Sequence, residues 1–192
     1  MSEGGFHVHG PHDHEIEHAA QHSQPGSISG RIAVTTAIIA TIGAMASYMG
    51  GATQANAGLF KNNAAIKKTE ASNQWNYYQA KSGKQNLAEL AIALVPEDRR
   101  AQYQSEVERY KKEKAEIKLA AEKLDAESVE WDRQSDEQMH QHHRWAQSTT
   151  ALQISIALAA IALLTRRRWL EYGVYGVATV GGVLGVAAFL HF

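Results

Sequence analysis

Three runs of apolar residues, separated by polar sequence, dominate the pattern along the chain. The runs cover 32–51, 148–165 and 173–192, and none of them contains Asp, Glu, Lys or Arg. An α-helix rises about 1.5 Å per residue, so about 20 such residues cross a hydrocarbon core that is about 30 Å thick. The pattern predicts an all-α integral membrane protein with three transmembrane helices, one for each run.

The first run has a second interpretation, as a secretory signal peptide, because Ala55-Asn56-Ala57 resembles a cleavage site. The segment before the run is long and acidic, and Arg31 is its only Lys or Arg. A membrane anchor is therefore favoured. The other two runs could instead be buried core helices, but the rest of the chain offers no apolar partner for them.

The segment 52–147 between the first two runs is highly charged and has a helical period. It holds fifteen Lys and Arg and fifteen Asp and Glu. From position 103 onward, a heptad seam follows steps of four and three. Its positions are Tyr103, Val107, Tyr110, Lys114, Ile117, Ala121, Leu124, Ser128, Trp131, Ser135, Gln138, His142 and Trp145. A weaker seam is predicted earlier, at Leu59, Ile66, Ala80, Leu87, Leu90 and Leu94.

A break is predicted near 95–98, where Pro96 disfavours a helical conformation at Val95. Glu97 and Asp98 suit the N-terminus of a following helix. The two arms would be about 66 Å and about 76 Å long at the standard helical rise. Their similar lengths predict a long antiparallel coiled-coil hairpin over 52–147, between the first and second transmembrane helices.

A basic loop is predicted over 166–172, and Arg166, Arg167 and Arg168 determine the expected topology. The positive-inside rule places these arginines in the cytoplasm, and the N-terminus on the same side. The hairpin would then be periplasmic or extracellular. Lys61 and Arg133 on the hairpin argue for the opposite orientation, but a loop of this length largely escapes the rule.

Composition and motifs exclude or disfavour several classes of function for this chain. The net charge of −1 gives no overall field for binding nucleic acid, and the absence of cysteine excludes disulfides and thiol chemistry. No phosphate-binding loop, nucleophile elbow or zinc-protease motif is present. The predicted spans carry no charged residue, which disfavours a pump or an ion pathway. We therefore expect no enzyme activity and no catalytic residues.

Residues 1–31 are expected to form a mobile tail, because the segment is polar and rich in Gly and Pro. Its histidines and carboxylates suit a divalent transition metal such as zinc, nickel or copper. The candidate metal ligands are His7, His9, His12, His14, His18 and His22. The alternative is a solvated tail that responds to pH without a defined metal site.

Several residues are candidates for packing or for interaction with a partner. On the hairpin they are aromatic or apolar side chains, namely Trp75, Tyr77, Tyr78, Tyr103, Val107, Tyr110, Ile117, Leu124 and Trp131. In the spans they are small residues suited to close helix packing, within one chain or between chains. These are Gly43, Ser47, Gly51, Gly181 and Gly185. His140, His142 and His143 are expected to form an interfacial polar turn of helix.

Two stretches resemble a known family. ASNQWNYYQAKS at 71–82 and LQISIALAAIALLTRRRWL at 152–170 are similar to a family of small bacterial membrane proteins, domain of unknown function 4337. The resemblance implies a bacterial origin and the order span, hairpin, span, span. It implies no activity, because the family is functionally uncharacterised.

Together these patterns predict a non-enzymatic, membrane-anchored coiled-coil scaffold or interaction protein that self-associates. Its expected partners are the lipid bilayer, further copies of the chain and a protein bound through the hairpin, and its expected location is the bacterial cytoplasmic membrane. The alternative function is a metal-binding or metal-sensing accessory protein that uses the His-rich tail. A channel lined by Thr and Ser is disfavoured.

Overall fold

A computed structural model describes residues 28–191, and in that range the protein is helical with no strand. The helices are α1, Ile28–Leu94, α2, Glu97–Thr165, and α3, Arg168–Phe189. Each contains a stretch that is long and apolar enough to cross a membrane. The prediction of an all-α protein with three apolar segments of spanning length is confirmed at this level.

The connection between α1 and α2 is Val95-Pro96, within the predicted break. Val95 still donates its backbone N–H to Ala91 O at 2.9 Å, but Pro96 has no N–H with which to continue the helix. Glu97 and Asp98 occupy the first turn of α2, where negative charge is favourable. Local backbone chemistry is therefore enough to explain where α1 ends.

The connection between α2 and α3 is shorter than the predicted loop of 166–172. Only Arg166 and Arg167 lie outside the helices, and residues 168–172 belong to α3. Arg166 has a φ of 53°, in the left-handed region, and donates its N–H to Ala162 O at 2.9 Å, which ends α2. Arg167 is extended and precedes the first turn of α3. Two residues suffice for the turn, so α3 begins at Arg168, inside the predicted loop.

The chain divides into two compact units. The first contains the described residues up to Gln54 and from His140 onward, and the second is Ala55–Met139. In the first unit, buried apolar side chains of all three helices meet. They form one cluster of Ile32, Ile39, Leu152, Ala159, Ala162, Leu170 and Val174, and another of Ala46, Trp145 and Ala188.

Helices α2 and α3 of the first unit are joined by hydrogen bonds from side chains to backbone carbonyls. Ser148 Oγ donates to Gly181 O and Ser155 Oγ to Val174 O, each at 2.8 Å. Gln141 donates to Ala188 O in the same manner. The three donors are seven residues apart, and so are the three acceptors. Because seven residues make about two helical turns, each helix presents one continuous face to the other.

The second unit has a core of small side chains. Ala57, Ala64 and Ala71 of α1 are 1%, 5% and 0% exposed. Ser128 Oγ donates to Ala64 O and Ser135 Oγ donates to Ala57 O, both at 2.9 Å. Small residues at seven-residue intervals let two helices approach closely enough for a serine hydroxyl to reach a carbonyl that already belongs to a helix.

The predicted seam of α2 coincides with its buried face, since all thirteen of its positions are buried or partly buried. The weaker seam predicted for α1 was wrong as a description of the buried face. Leu59, Ile66 and Leu87 are 61%, 47% and 68% exposed, and the remaining positions of that seam are exposed too. The face of α1 that packs is the alanine repeat. Close contact between helices requires small residues, so the large apolar residues of α1 do not mark the contact with α2.

Candidate interaction site

Trp75 and its neighbours form a polar aromatic cluster in the second unit. Trp75 Nε1 donates to Asp125 Oδ2 at 2.9 Å, and the Trp75 ring lies edge-on to Tyr78 with centroids 5.7 Å apart. Lys68 Nζ lies 2.8 Å from Asp125 Oδ1. The hydrogen bonds from Lys68 and then from Trp75 lower the pKa of the Asp125 carboxyl. The cluster therefore holds a carboxylate in place in addition to packing the aromatic rings.

The tyrosines of this unit contact cationic side chains. Lys114 Nζ lies 4.9 Å from the ring centroid of Tyr78, and Lys81 Nζ lies 5.2 Å from that of Tyr77 and 5.6 Å from that of Tyr110. These distances are typical of cation–π contacts. Lys114 occupies a position of the predicted seam. Its charge is accommodated there because the side chain contacts the aromatic ring of Tyr78.

Ion pairs join α1 to α2 with one consistent polarity. A lysine of α1 meets an acid of α2 in each of the pairs Lys61–Asp132 at 2.5 Å, Lys67–Glu127 at 3.4 Å, Lys68–Asp125 at 2.8 Å and Lys81–Glu113 at 2.6 Å. The contact with Lys81 lowers the pKa of Glu113. Solvent-exposed ion pairs contribute roughly 0–1 kcal/mol each, so these pairs make a small contribution to stability.

The other predicted packing residues lie at or near the contact between the helices of the second unit. Trp131 and Phe60 have ring centroids 5.5 Å apart. Val107 and Ile117 are buried, while Tyr103, Tyr110 and Leu124 are partly buried. Tyr77 is half-exposed and is the most accessible of the predicted aromatic residues.

Three of the predicted glycines of the spans lie at close helix contacts. An added Cβ at Gly181 would lie 2.8 Å from Leu152 Cγ, and one at Gly185 would lie 3.0 Å from Ser148 Oγ. Gly43 is in ordinary contact with Leu152. Ser47 and Gly51 are exposed, so they do not serve packing within the chain.

Gly50 is a contact residue that is not among the predicted packing residues of the spans. Its carbonyl oxygen lies 2.8 Å from His142 Nδ1, and an added Cβ would lie 3.3 Å from Trp145 Cβ. Gly43, Gly50 and Ala57 are seven residues apart, and this spacing could have revealed it. The small residues predicted to pack in the spans are instead four residues apart.

An ion pair joins the beginnings of α1 and α3 in the first unit. Arg31 Nη2 lies 3.2 Å from Glu171 Oε1, and Tyr175 Oη donates to the same oxygen at 3.2 Å. The Glu171 side chain is only 10% exposed. Glu171 lies in the predicted loop of 166–172 and its pairing was not predicted, although Arg31 is the only Lys or Arg before the first apolar run. Arg166, Arg167 and Arg168 are exposed nearby in sequence.

The histidines show no assembled metal site in the described part of the chain. His142 contacts Gly50 and lies 5.6 Å from the His143 ring, while His140 and His143 are exposed. Within residues 28–191, no three His, Asp or Glu side chains are grouped to hold a metal ion. The six candidate ligands of the tail lie outside the described residues.

Comparison with known families gives a match that covers residues 28–191. The matching family is described as a domain of unknown function, DUF4337. No curated protein and no solved structure matches the chain. The match includes both stretches on which the resemblance was based, so the chain belongs to the DUF4337 family.

Proposed function

We propose that the chain is a non-enzymatic, membrane-anchored scaffold whose segment 52–147 forms an antiparallel coiled-coil hairpin and which self-associates. The observation that carries this proposal is the pair of hydrogen bonds from Ser128 and Ser135 to the carbonyls of Ala64 and Ala57. Such contacts need two helices at close distance along a defined register, which suits a structural element.

The order of the contacts supports the antiparallel hairpin. As the position on α1 rises from Ala57 to Ala64 and Lys81, the contacting position on α2 falls from Ser135 to Ser128 and Glu113. Helices running in opposite directions produce this order. The four ion pairs with lysine on α1 and acid on α2 follow the same order, because the acid lies earlier on α2 as the lysine lies later on α1.

The hydrogen bonds and ion pairs made by the polar side chains support a role without catalysis. The buried serines donate their hydroxyls to backbone carbonyls, at Ser128, Ser135, Ser148 and Ser155. A serine nucleophile needs an adjacent base instead. Carboxylates such as Asp125 and Glu113 are engaged by lysines, and their pKa values are lowered rather than raised toward neutrality.

A bacterial cytoplasmic membrane with the N-terminus inside is the location we propose. The pair Arg31–Glu171 places the start of α1 beside the start of α3, which follows the arginines at 166–168. Four arginines would thus lie at one end of the spans, as the positive-inside rule expects for the cytoplasmic face. The hairpin would lie on the periplasmic side.

Crosslinking in native membranes tests this function. A lysine-reactive reagent has exposed targets, such as Lys84 and Lys123, on the proposed hairpin. We expect dimers or larger species of the chain at low expression. A strictly monomeric chain that captures no other protein would remove the proposal.

A further inference from the structure

Helix α1 carries a second seven-residue repeat in the unit Ala55–Met139, on an exposed face. We call it the outer stripe. It consists of Leu59, Asn62, Ile66, Thr69, Asn73, Asn76, Ala80, Gly83, Leu87, Leu90 and Leu94. All of these positions are exposed, and none carries a charge. Leu94 and Leu87 are 76% and 68% exposed, so large apolar side chains stand in water at heptad positions.

The outer stripe is distinct from the face that packs against α2. The packed repeat is Ala57, Ala64 and Ala71, and the outer stripe is offset from it by two residues, at Leu59 and Ile66. Two residues correspond to about 200° around a helix, so the two repeats point in nearly opposite directions. One helix therefore has two heptad seams, of which one is occupied.

On helix α2 of this unit, the exposed apolar residues Leu119 and Val129 are separated by charged residues. Its outward positions include Glu116, Lys123 and Glu130, which are charged and exposed. An exposed row of apolar residues at heptad spacing is typical of a helix that pairs with another helix. Of the exposed faces of these two helices in the second unit, the outer stripe of α1 is thus the one that suits a helical partner.

We infer that the outer stripe binds the outer stripe of a second copy of this chain, in parallel and in register. The inference rests on the proposed function, since the α1 segments of two hairpins anchored in one membrane with the same orientation run in the same direction. A stripe without charge can meet an identical stripe without repulsion, whereas a charged one cannot. Asn73 and Asn76 would face their counterparts, and asparagine at a seam position selects register.

The first test uses the natural absence of cysteine. Ala80→Cys lies on the outer stripe, and Ala126→Cys is a matched control at an exposed position of α2. In native membranes containing the full chain, we expect mild oxidation to link Ala80→Cys into a homodimer and to leave Ala126→Cys unlinked. Equal linking of the two variants, or capture of a different protein by Ala80→Cys, would overturn the inference.

The second test reverses charge on the stripe of the Ala80→Cys chain. Leu87→Glu and Leu87→Lys should each reduce the homodimer by about tenfold or more, because like charges would meet in an apolar seam. Coexpression of the two variants should restore linking between them. Leu119→Glu on α2 is the control, since Leu119 is also 68% exposed. A loss caused equally by Leu119→Glu would count against the stripe.

The outcomes separate this inference from the proposed function. If lysine crosslinking gives oligomers of the natural chain but Ala80→Cys does not link, the chain associates through another surface and the inference fails alone. If the natural chain is strictly monomeric, the self-association in the proposed function fails as well. Helicity measured by circular dichroism should stay unchanged in the Leu87 variants, because that side chain makes no core contact.

Discussion

Ser135 donates its hydroxyl to the backbone carbonyl of Ala57 at 2.9 Å, and both residues are buried. A serine can reach this carbonyl only if the side chain at position 57 is no larger than a methyl group. The hydrogen bond that Ser135 donates therefore depends on the small side chain of Ala57. The same relationship recurs seven residues away, between Ser128 and Ala64.

Enlarging Ala57 should separate the helices. We expect Ala57→Leu to destabilise the second unit by about 1–3 kcal/mol, as overpacking of a close contact does. Ala65→Leu is the control, because Ala65 is exposed on the same helix. Urea unfolding followed by circular dichroism measures both, and equal midpoints for the two variants would show that the alanine repeat is not a close contact.

A side chain at Gly181 should disturb the packing of α2 on α3. Its Cβ would lie 2.8 Å from Leu152 Cγ and 3.2 Å from the Leu152 backbone nitrogen, which cannot move aside easily. We expect Gly181→Ala to lower stability in detergent by about 1–3 kcal/mol. Gly182→Ala, which has open space around its Cβ, should be neutral or slightly stabilising. The reverse order of thermal midpoints would contradict the helix contact.

Acid should weaken the second unit in a defined pH window. Hydrogen bonds from Arg133, and then from Gln134, lower the pKa of Glu130 from 4.5 to about 2. A carboxyl whose pKa is lowered on folding stabilises the folded state above its unfolded pKa, and that stabilisation is lost as the pH falls through the folded value. We therefore expect stability to decline between about pH 4.5 and about pH 2.

Glu130→Gln should flatten part of this decline, because it removes the carboxyl that titrates. The effect should be small and should shrink with added salt, since the group is exposed. Unfolding midpoints at several pH values measure it. Identical pH profiles for Glu130→Gln and the natural chain would show that the ion pair with Arg133 adds nothing to stability.

Loss of Arg31 should be worse than loss of the whole ion pair. Arg31→Gln removes the cation beside the buried Glu171 and leaves the contact with the Tyr175 hydroxyl. Adding Glu171→Gln to that variant should recover part of the stability. A double-mutant cycle should give a coupling energy of about 0.5–3 kcal/mol. Purely additive effects would mean that the two side chains do not interact.

The His-rich tail offers a test of the alternative function. Removal of residues 1–24 touches none of the described helices, so we expect oligomerisation to be unchanged. Calorimetry with zinc or nickel on the full chain and on the shortened one measures the metal role. Sub-micromolar binding that is lost with the tail would favour the metal-sensing alternative, whereas millimolar binding would leave only the solvated tail.

Features that depend on local sequence could be predicted. The apolar runs follow from transfer into lipid, and the break before Glu97 follows from the missing N–H of Pro96. Contacts between helices were harder to predict from the sequence. The leucines of α1 mark a seam by their size, but α2 packs against alanines such as Ala64, because a hydroxyl such as that of Ser128 must reach a carbonyl. The spacing of residues alone did not show whether α2 packs against the alanine repeat or against the outer stripe of α1.

The pairing of Arg31 with Glu171 could not be predicted from spacing, because it depends on how three helices converge. The early start of α3 depends on one residue, Arg166, in a left-handed conformation that the sequence does not favour. These features arise from tertiary packing, and a single sequence does not encode them as a local pattern.

The mass of the assembled protein in lipid nanodiscs, measured by native mass spectrometry, tests the self-associating scaffold most directly. The account predicts species at whole multiples of the 21.1 kDa chain that persist when lipid is in excess. A single species at the mass of one chain under the same conditions would contradict it.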